Sequence, residues 1–259
     1  MSLSIAVAGK GGSGKTTIAA LIIRYLKKRG GGPVLAVDAD PNANLGESLG
    51  LEVKQTVGRI LAEFQKDKID IPAGMTKEAY LEYRLHAVVV ESSGLDLVTM
   101  GRGEGADCYC YPNVILRKTI DALSDSYAFV VMDNEAGMEH LSRGTTKDID
   151  ELLIITDYSV KGMRTVARIQ TLVDELGLNV ARRSVVINRA PDAPSETVST
   201  EMARLRIIPS GFVPVDPSVL QFDLVMRPLL EMEDASPAVK SVDELMSRLL
   251  AGKQTRREK

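Results

Sequence analysis

The sequence predicts an α/β fold in which a mostly parallel sheet carries helices on both faces. Short, continuously apolar runs alternate along the chain with longer segments of helical periodicity, which is typical of a parallel sheet buried on both sides. Glycine-rich or polar clusters follow directly after several of these apolar runs. Because ligands of such sheets lie beyond the carboxyl ends of the strands, the same clusters indicate where a ligand binds.

Taken in order, the first apolar run at residues 3–8 predicts a strand, and residues 18–26 predict a helix that ends at the glycines before Pro33. Residues 57–86 predict two helices around a polar break at 72–74. Further strands are predicted at 34–37, 95–100, 129–132, 152–156, 184–187 and 207–213. Further helices are predicted at 113–123, 159–176, 197–205 and 239–250.

The chemistry is clearest in residues 9–16, Gly-Lys-Gly-Gly-Ser-Gly-Lys-Thr, which fit the phosphate-binding pattern G-x-x-x-x-G-K-[ST] between a strand and a helix. Glycines allow backbone N–H groups to approach a polyphosphate, and the start of the helix directs its positive end at the same point. A lysine and a hydroxyl at the end of the pattern suit the outer phosphates and Mg²⁺. We expect a nucleoside triphosphate to be bound by Gly11, Gly12, Ser13, Gly14, Lys15, Thr16 and Thr17.

Three aspartates also follow predicted strands. Asp38 and Asp40 follow the second strand, and Asp133 follows the apolar run at 129–132, which is the Walker B pattern. Carboxylates at this position typically hold Mg²⁺ directly or through water. We therefore expect Thr16 and Asp133 to form the magnesium site, with Asp38 and Asp40 close to it.

Composition limits the classes of function. The net charge of −3 arises from 32 basic and 35 acidic residues, so no overall positive field favours nucleic acid or an anionic membrane. No apolar run approaches a transmembrane length, and the strand predicted at the N-terminus leaves no room for a signal peptide. We expect a cytoplasmic protein with one domain at residues 1–252 and a short, basic, disordered tail at 253–259.

The chain has two cysteines, Cys108 and Cys110, in a glycine-rich segment before a predicted helix. They could be two small buried residues, but a helix N-terminus lowers a thiol pKa and favours the thiolate. Two thiolates make half of a tetrahedral site, which a symmetric dimer would complete. Zn²⁺, Ni²⁺, Cu(I) or an iron–sulfur cluster would suit such sulfur ligands. A redox disulfide is less attractive because the one-residue spacer makes the ring strained.

The phosphate-binding loop resembles the deviant loop of the MinD/ParA and nitrogenase-iron-protein branch of P-loop ATPases. That resemblance implies that its second lysine, Lys10, crosses a dimer to the partner's nucleotide as an arginine finger does. The sequence from Asp40 to Asn44 resembles the first switch of the nitrogenase-iron-protein and arsenite-pump relatives. There Asp40 would orient or activate the attacking water, and Asp38 would support Mg²⁺ or the same water; which residue takes which role stays open.

Further segments resemble the same branch. Residues 133–137 resemble the second switch, in which the amide of Gly137 would sense the γ-phosphate. Asn188 and Arg189 resemble the adenine-reading position, and Pro214, Val215 and Asp216 resemble the segment whose backbone completes that pocket. Asn after a strand is also an ordinary turn residue, so these two segments are weak signals alone.

Together with the Cys-x-Cys segment, the motifs GKGGSGKTT, DADPNAN and DNEAGMEHLSRGT resemble the CooC/AcsF family of nickel-enzyme maturation ATPases. The resemblance implies a homodimer, formed with ATP or metal, that binds Ni²⁺ or Zn²⁺ at Cys108 and Cys110. The client would be carbon monoxide dehydrogenase or acetyl-CoA synthase. Two alternatives are a MinD/ParA-type positioning ATPase and an iron–sulfur reductase like the nitrogenase iron protein, although the latter family spaces its cluster cysteines far apart.

Overall fold

The computed structural model describes residues 2–65, 71–102, 120, 123–135 and 148–257. Its strands are β1 (Leu3–Gly9), β2 (Val34–Asp38), β3 (Leu95–Thr99), β4 (Phe129–Asp133), β5 (Asp148–Ile149), β6 (Glu151–Asp157), β7 (Asn179–Val180), β8 (Arg183–Ala190) and β9 (Pro209–Pro214). Its α-helices are α1 (Lys15–Arg29), α2 (Leu45–Leu49), α3 (Val57–Gln65), α4 (Lys77–His86), α5 (Val160–Glu175), α6 (Glu196–Arg204), α7 (Pro217–Leu224) and α8 (Pro237–Arg257), with a 3₁₀ turn at Leu229–Glu231.

Seven strands form one sheet in the order β3-β2-β4-β1-β6-β8-β9, and all of its pairings are parallel. A separate two-stranded parallel pair joins β5 to β7. The strand that leads into the phosphate-binding loop, β1, lies between β4 and β6. The sheet therefore reverses its winding beside β1, which is where an open α/β sheet forms a crevice for a ligand.

Alternate residues of the strands enter two hydrophobic clusters, one on each face of the sheet. In β1, Ala6 and Ala8 belong to the first cluster, and Ile5 and Val7 belong to the second. The first cluster contains residues from α3, α4, α5 and α6, and the second contains residues from α1, α2 and α8. This arrangement confirms the predicted fold class, a parallel sheet with helices on both faces.

Several elements differ from the sequence-based expectations. Helices α2 and α7 were not predicted: α2 has five residues, and α7 has no buried residue, so neither gives a strong apolar periodicity. Strand β9 begins at Pro209 rather than at residue 207. Most of the helix predicted at 113–123 lies outside the described residues.

The last helix is longer than expected. It runs over Pro237–Arg257 and so continues through Gly252 into the segment that was assigned to a disordered tail. Lysine, glutamine and arginine after Gly252 are good helix formers, and one glycine within a helix costs only about 1 kcal/mol. Helix α8 therefore extends past residue 250, where the last helix was predicted to end.

Candidate nucleotide site

The sheet brings the predicted site residues to one edge, because the parallel strands β1, β2, β4, β6, β8 and β9 all end there. Asp38 of β2 is paired with Asp133 of β4 in the strand register. On the other side of β1, Asp157 of β6 is paired with Asn188 of β8. Acidic groups thus lie on both sides of the loop that starts at Gly9, the last residue of β1.

The loop itself depends on glycines in left-handed conformations. Gly12 has a φ angle of 75° and Gly14 a φ angle of 88°. A Cβ atom at Gly14 would lie 2.2 Å from Nδ2 of Asn188, so a side chain there has neither a favourable backbone conformation nor space. Helix α1 begins directly afterwards at Lys15 and leaves its first N–H groups directed at the loop, which suits an anion.

A candidate magnesium site lies where α1 meets β4. The side chain of Thr16 lies beside the carboxyl group of Asp133, and Lys15 is 7% exposed. Burial raises the pKa of Asp133 to about 6, although the Thr16 side chain and the charge of Lys15 act in the opposite direction. Oδ1 of Asp133 and Oγ of Ser13 are buried without a hydrogen-bond partner among the described residues. Oxygen atoms that lack a partner in this way fit a hydrated Mg²⁺ bound to a polyphosphate.

Asp38 is fully buried and holds the loop at residues 40–45 in place. Its Oδ1 accepts a hydrogen bond from the backbone N of Asp40 at 3.1 Å, and its Oδ2 accepts one from the backbone N of Leu45 at 2.9 Å. Burial raises the pKa of Asp38 to about 7, with a further increase from the neighbouring charge of Asp133. The two backbone hydrogen bonds moderate this shift because they stabilise the carboxylate.

Asp40 is less enclosed and belongs to a turn. Its Oδ1 accepts hydrogen bonds from the backbone N of Asn42 at 2.8 Å and from Nδ2 of Asn42 at 2.9 Å. The sequence alone did not assign separate roles to Asp38 and Asp40. In the structure their surroundings differ: Asp38 is enclosed by backbone donors, and Asp40 lies at a half-buried position on the loop.

Lys10 contacts a residue that the sequence analysis did not name. Its Nζ lies 3.5 Å from Oδ2 of Asp157, at the end of β6, and both side chains are about one third exposed. Asp157 also accepts a hydrogen bond from Oγ of Ser159. Asp157 could have been identified from the sequence, because it ends an apolar run just as Asp133 does. Within a single protomer, Lys10 is thus paired to its own chain.

Asn188 and Arg189 support the phosphate-binding loop from β8. Nδ2 of Asn188 donates to the backbone O of Ser13 at 2.8 Å, and its Oδ1 accepts from the backbone N of Arg189 at 2.9 Å. The guanidinium of Arg189 donates to the backbone O of Gly12. Both side chains therefore support the loop, and their role in binding adenine stays a prediction.

The second predicted adenine segment lies beside the first, since Pro214 of β9 is paired with Ala190 of β8. Val215 is 63% exposed. The side chain of Asp216 is used to begin two helices: Oδ1 accepts from the backbone N of Ser218, and Oδ2 accepts from Oγ of Ser236 and the backbone N of Ala238. Burial raises the pKa of Asp216, but these hydrogen bonds outweigh burial and hold it below its usual value.

Three predicted site residues, Cys108, Cys110 and Gly137, lie outside the described residues. The described part of the chain contains no group of three or more His, Cys, Asp or Glu side chains that could hold a metal ion. In the same part of the chain, no helix is long and apolar enough to cross a membrane.

A parallel sheet with a glycine-rich loop between β1 and α1 and acidic residues at the neighbouring strand ends defines a P-loop nucleotide-binding domain. Residues 4–226 match the family described as CobQ/CobB/MinD/ParA nucleotide binding domain. The chain belongs to this family.

Two relatives and one solved structure are similar to this chain. An uncharacterized ATP-binding protein of Methanocaldococcus jannaschii is 41% identical over 248 residues, which cover 95% of this chain and 98% of that protein. The carbon monoxide dehydrogenase accessory protein CooC of Rhodospirillum rubrum is 30% identical over 187 residues, which cover 68% of this chain and 71% of CooC. The fold is similar to that of the septum site-determining protein MinD of Pyrococcus horikoshii in complex with Mg-ADP, with a TM-score of 0.71, 20% identity, and coverage of 97% and 98% of the two chains.

Proposed function

We propose that this protein is a Mg²⁺-dependent ATPase that binds Ni²⁺ as cargo and promotes its insertion into carbon monoxide dehydrogenase or acetyl-CoA synthase. The observation that carries this proposal is the similarity to CooC over 187 residues, combined with the Cys-x-Cys segment at Cys108 and Cys110. Two soft thiolates per chain match Ni²⁺ or Zn²⁺, and a symmetric dimer would supply four.

The residues at the strand ends have different roles in ATP hydrolysis. Lys15 and the N–H groups of residues 11–17 would hold the phosphates of ATP, and Thr16 and Asp133 would hold Mg²⁺, whose charge would offset that of the transferred phosphoryl group. Asp40 orients the water whose oxygen attacks the γ-phosphorus as the bond to ADP breaks. Asp38 positions Asp40, because its carboxyl group accepts from the Asp40 backbone N and fixes the turn.

Lys10 supplies the step that needs two protomers. It leaves Asp157 of its own chain and places its positive charge on the phosphates bound by the partner, where it stabilises charge that develops during hydrolysis. A contact of 3.5 Å between partly exposed groups is weak, on the order of 0–1 kcal/mol, so exchanging it for a phosphate is favourable. Hydrolysis then relaxes the switches and separates the protomers, which releases the metal to the client.

The decisive test is an anaerobic titration of the reduced protein with Ni²⁺ and with Zn²⁺, with and without ATP, followed by sizing. We expect about one metal ion for every two chains, because four thiolates complete a tetrahedral site. Replacement of both cysteines, Cys108→Ala with Cys110→Ala, should abolish binding while leaving ATP binding intact. Metal binding that does not need the cysteines, or none at all, would overturn the metallochaperone proposal.

A positioning ATPase of the MinD/ParA type is the second candidate, because the family that this chain belongs to includes both names. That function requires ATP-dependent attachment to a membrane or to DNA. Co-sedimentation with anionic lipid vesicles or with DNA, with and without ATP, separates the two candidates. ATP-dependent sedimentation without cysteine-dependent metal binding would favour positioning.

A further inference from the structure

A polar cavity lies between the second half of α1 and α8, away from the nucleotide site. Its volume is about 510 Å³, and Tyr25, Asp243 and Glu244 are among the residues that line it. Tyr25 lies nine residues after Thr16 in α1, so about 14 Å of helix separates the cavity from the phosphate-binding loop. The cavity is therefore distinct from the nucleotide site.

Three buried polar atoms at or beside this cavity have no hydrogen-bond partner among the described residues. They are Nη1 of Arg24, Oη of Tyr25 and Oδ1 of Asp243. Arg24 is 6% exposed and Tyr25 is 4% exposed. A buried donor or acceptor without a partner is costly, above all when it is charged, so three of them together indicate a place where a further polar molecule is stabilised.

Arg24 is fixed in place by its other nitrogen atoms. Nε and Nη2 donate to the backbone O of Met232 at 3.1 and 2.7 Å, and Nη2 also donates to Oδ1 of Asp234. Lys28, one turn further along α1, pairs with Oδ2 of the same Asp234. Because two cations already share the carboxylate of Asp234, Nη1 of Arg24 remains as a charged donor with a fixed direction.

The acidic side of the cavity comes from α8, where Asp243 and Glu244 are adjacent. Burial raises the pKa of Asp243, while the positive charge of Arg24 acts in the opposite direction. The two groups thus lie close enough for their charges to interact, and yet Nη1 of Arg24 and Oδ1 of Asp243 both lack a partner. A molecule between them can accept from the first and donate to the second.

We propose that this cavity binds a small zwitterionic molecule of the α-amino acid class. Its carboxylate accepts from Nη1 of Arg24 and Oη of Tyr25, beside the guanidinium of Arg29, whose Cζ lies 5.4 Å from the centroid of the Tyr25 ring. Its ammonium group donates to the carboxyl groups of Asp243 and Glu244. This inference is independent of the proposed function.

Other ligand classes match the cavity less well. A purely anionic ligand meets the carboxyl groups of α8, and a purely cationic ligand meets the guanidinium groups of α1, so each faces like charges. Among the described residues, no group of three or more His, Cys, Asp or Glu side chains could hold a metal ion. A molecule that carries both charges avoids these conflicts.

The test is a titration of the full chain, without nucleotide, with each of the standard amino acids. Thermal unfolding identifies those that stabilise the protein, and calorimetry then measures their Kd. We expect at least one Kd below about 1 mM, and at about 100 times that Kd the Tm should rise by about 5 °C or more. The matched amine without the carboxylate, and the matched acid without the ammonium group, should each bind about tenfold more weakly or worse.

Two conservative variants locate the binding. Tyr25→Phe removes only Oη, and Asp243→Asn removes only the charge. Because Oη and Oδ1 have no partner among the described residues, both variants should keep the Tm of the unliganded protein, while each weakens amino acid binding about fivefold or more. Tyr83→Phe removes an exposed hydroxyl from α4 and should leave binding unchanged. Binding of a fluorescent ATP analogue should stay the same in all three.

The site is overturned if no amino acid binds with a Kd below about 10 mM, since water molecules alone would then satisfy the buried atoms. It is also overturned if Tyr25→Phe and Asp243→Asn both keep full affinity, because the amino acid would then bind elsewhere. A matched amine or acid that binds as tightly as the amino acid would show that the cavity does not recognise a zwitterion. None of these outcomes bears on the metallochaperone proposal.

Discussion

From the raised pKa of the buried Asp38, we predict that the protein without nucleotide becomes less stable as the pH rises. Its pKa is raised from 3.8 to about 7, chiefly by burial, so the folded protein binds this proton more tightly than the unfolded chain does. The corresponding stability is fully present below about pH 4 and is lost as the pH rises through 7. Asparagine does not ionise, so Asp38→Asn should not lose this part of the free energy of unfolding as the pH rises.

The magnitude follows from the shift. At about 1.4 kcal/mol for each pKa unit, a rise from 3.8 to about 7 makes ionised Asp38 cost about 4 kcal/mol at high pH. Roughly 2–3 kcal/mol of this cost develops between pH 5 and pH 8. Asparagine has one acceptor oxygen where the carboxyl group of Asp38, protonated at pH 5, has two, so the N–H of either Asp40 or Leu45 loses its partner, at about 1–3 kcal/mol. Asp38→Asn is therefore the less stable protein at pH 5, and the difference disappears or reverses at pH 8.

Urea unfolding in EDTA without nucleotide, at pH 5 and at pH 8, measures this difference as the free energy of unfolding. Asp174→Asn is the matched control, since Arg183 lowers the pKa of the exposed Asp174 and its titration lies below the range tested. The control should show the wild-type decrease between the two pH values. An equal decrease in Asp38→Asn would refute the assignment of the cost to Asp38.

Three further predictions concern the loop. Gly14→Ala puts a side chain on a residue with a left-handed backbone and places its Cβ 2.2 Å from Nδ2 of Asn188. Binding of a fluorescent ATP analogue should therefore weaken tenfold or more, about 1.4 kcal/mol. Adding Asn188→Ala removes the clash and should recover part of this loss of binding. Asn188→Ala alone removes the hydrogen bond to Ser13 and should lower the free energy of unfolding by about 1 kcal/mol in urea; no change would mean that it does not brace the loop. Asp157→Asn releases Lys10, so ultracentrifugation should detect ATP-dependent dimers at lower protein concentration with little change in stability. Weaker dimerisation would show that Asp157 assists Lys10 rather than retaining it.

The strands and the phosphate-binding loop could be predicted because their signals are local. The strands are continuous apolar runs, and the loop needs glycine where φ is positive and a helix immediately afterwards. Asp38, Asp40 and Asp133 were found because each follows an apolar run.

Contacts between residues that are far apart in the sequence could not be predicted from it. The pairing of Lys10 with Asp157 exists because β1 lies beside β6, and no local pattern records that adjacency. Helix α2 begins at Leu45, whose backbone N is held by the distant carboxyl group of Asp38. The double capping by Asp216 likewise requires α8 to return to the site, so its side chain could not be distinguished from an ordinary turn aspartate.

The position of β1 in the sheet divides the strand ends of the site into two groups. β2 and β4, with the carboxylates Asp38 and Asp133, lie on one side, and β6, β8 and β9 lie on the other. If the predicted adenine contacts hold, the base of a nucleotide that spans β1 would lie on the second side. Asn188 and Arg189 at the end of β8 also hydrogen-bond the backbone oxygens of Ser13 and Gly12. A substitution there that changes which base is accepted would therefore also disturb the loop for the phosphates, so selectivity and turnover are linked at this strand.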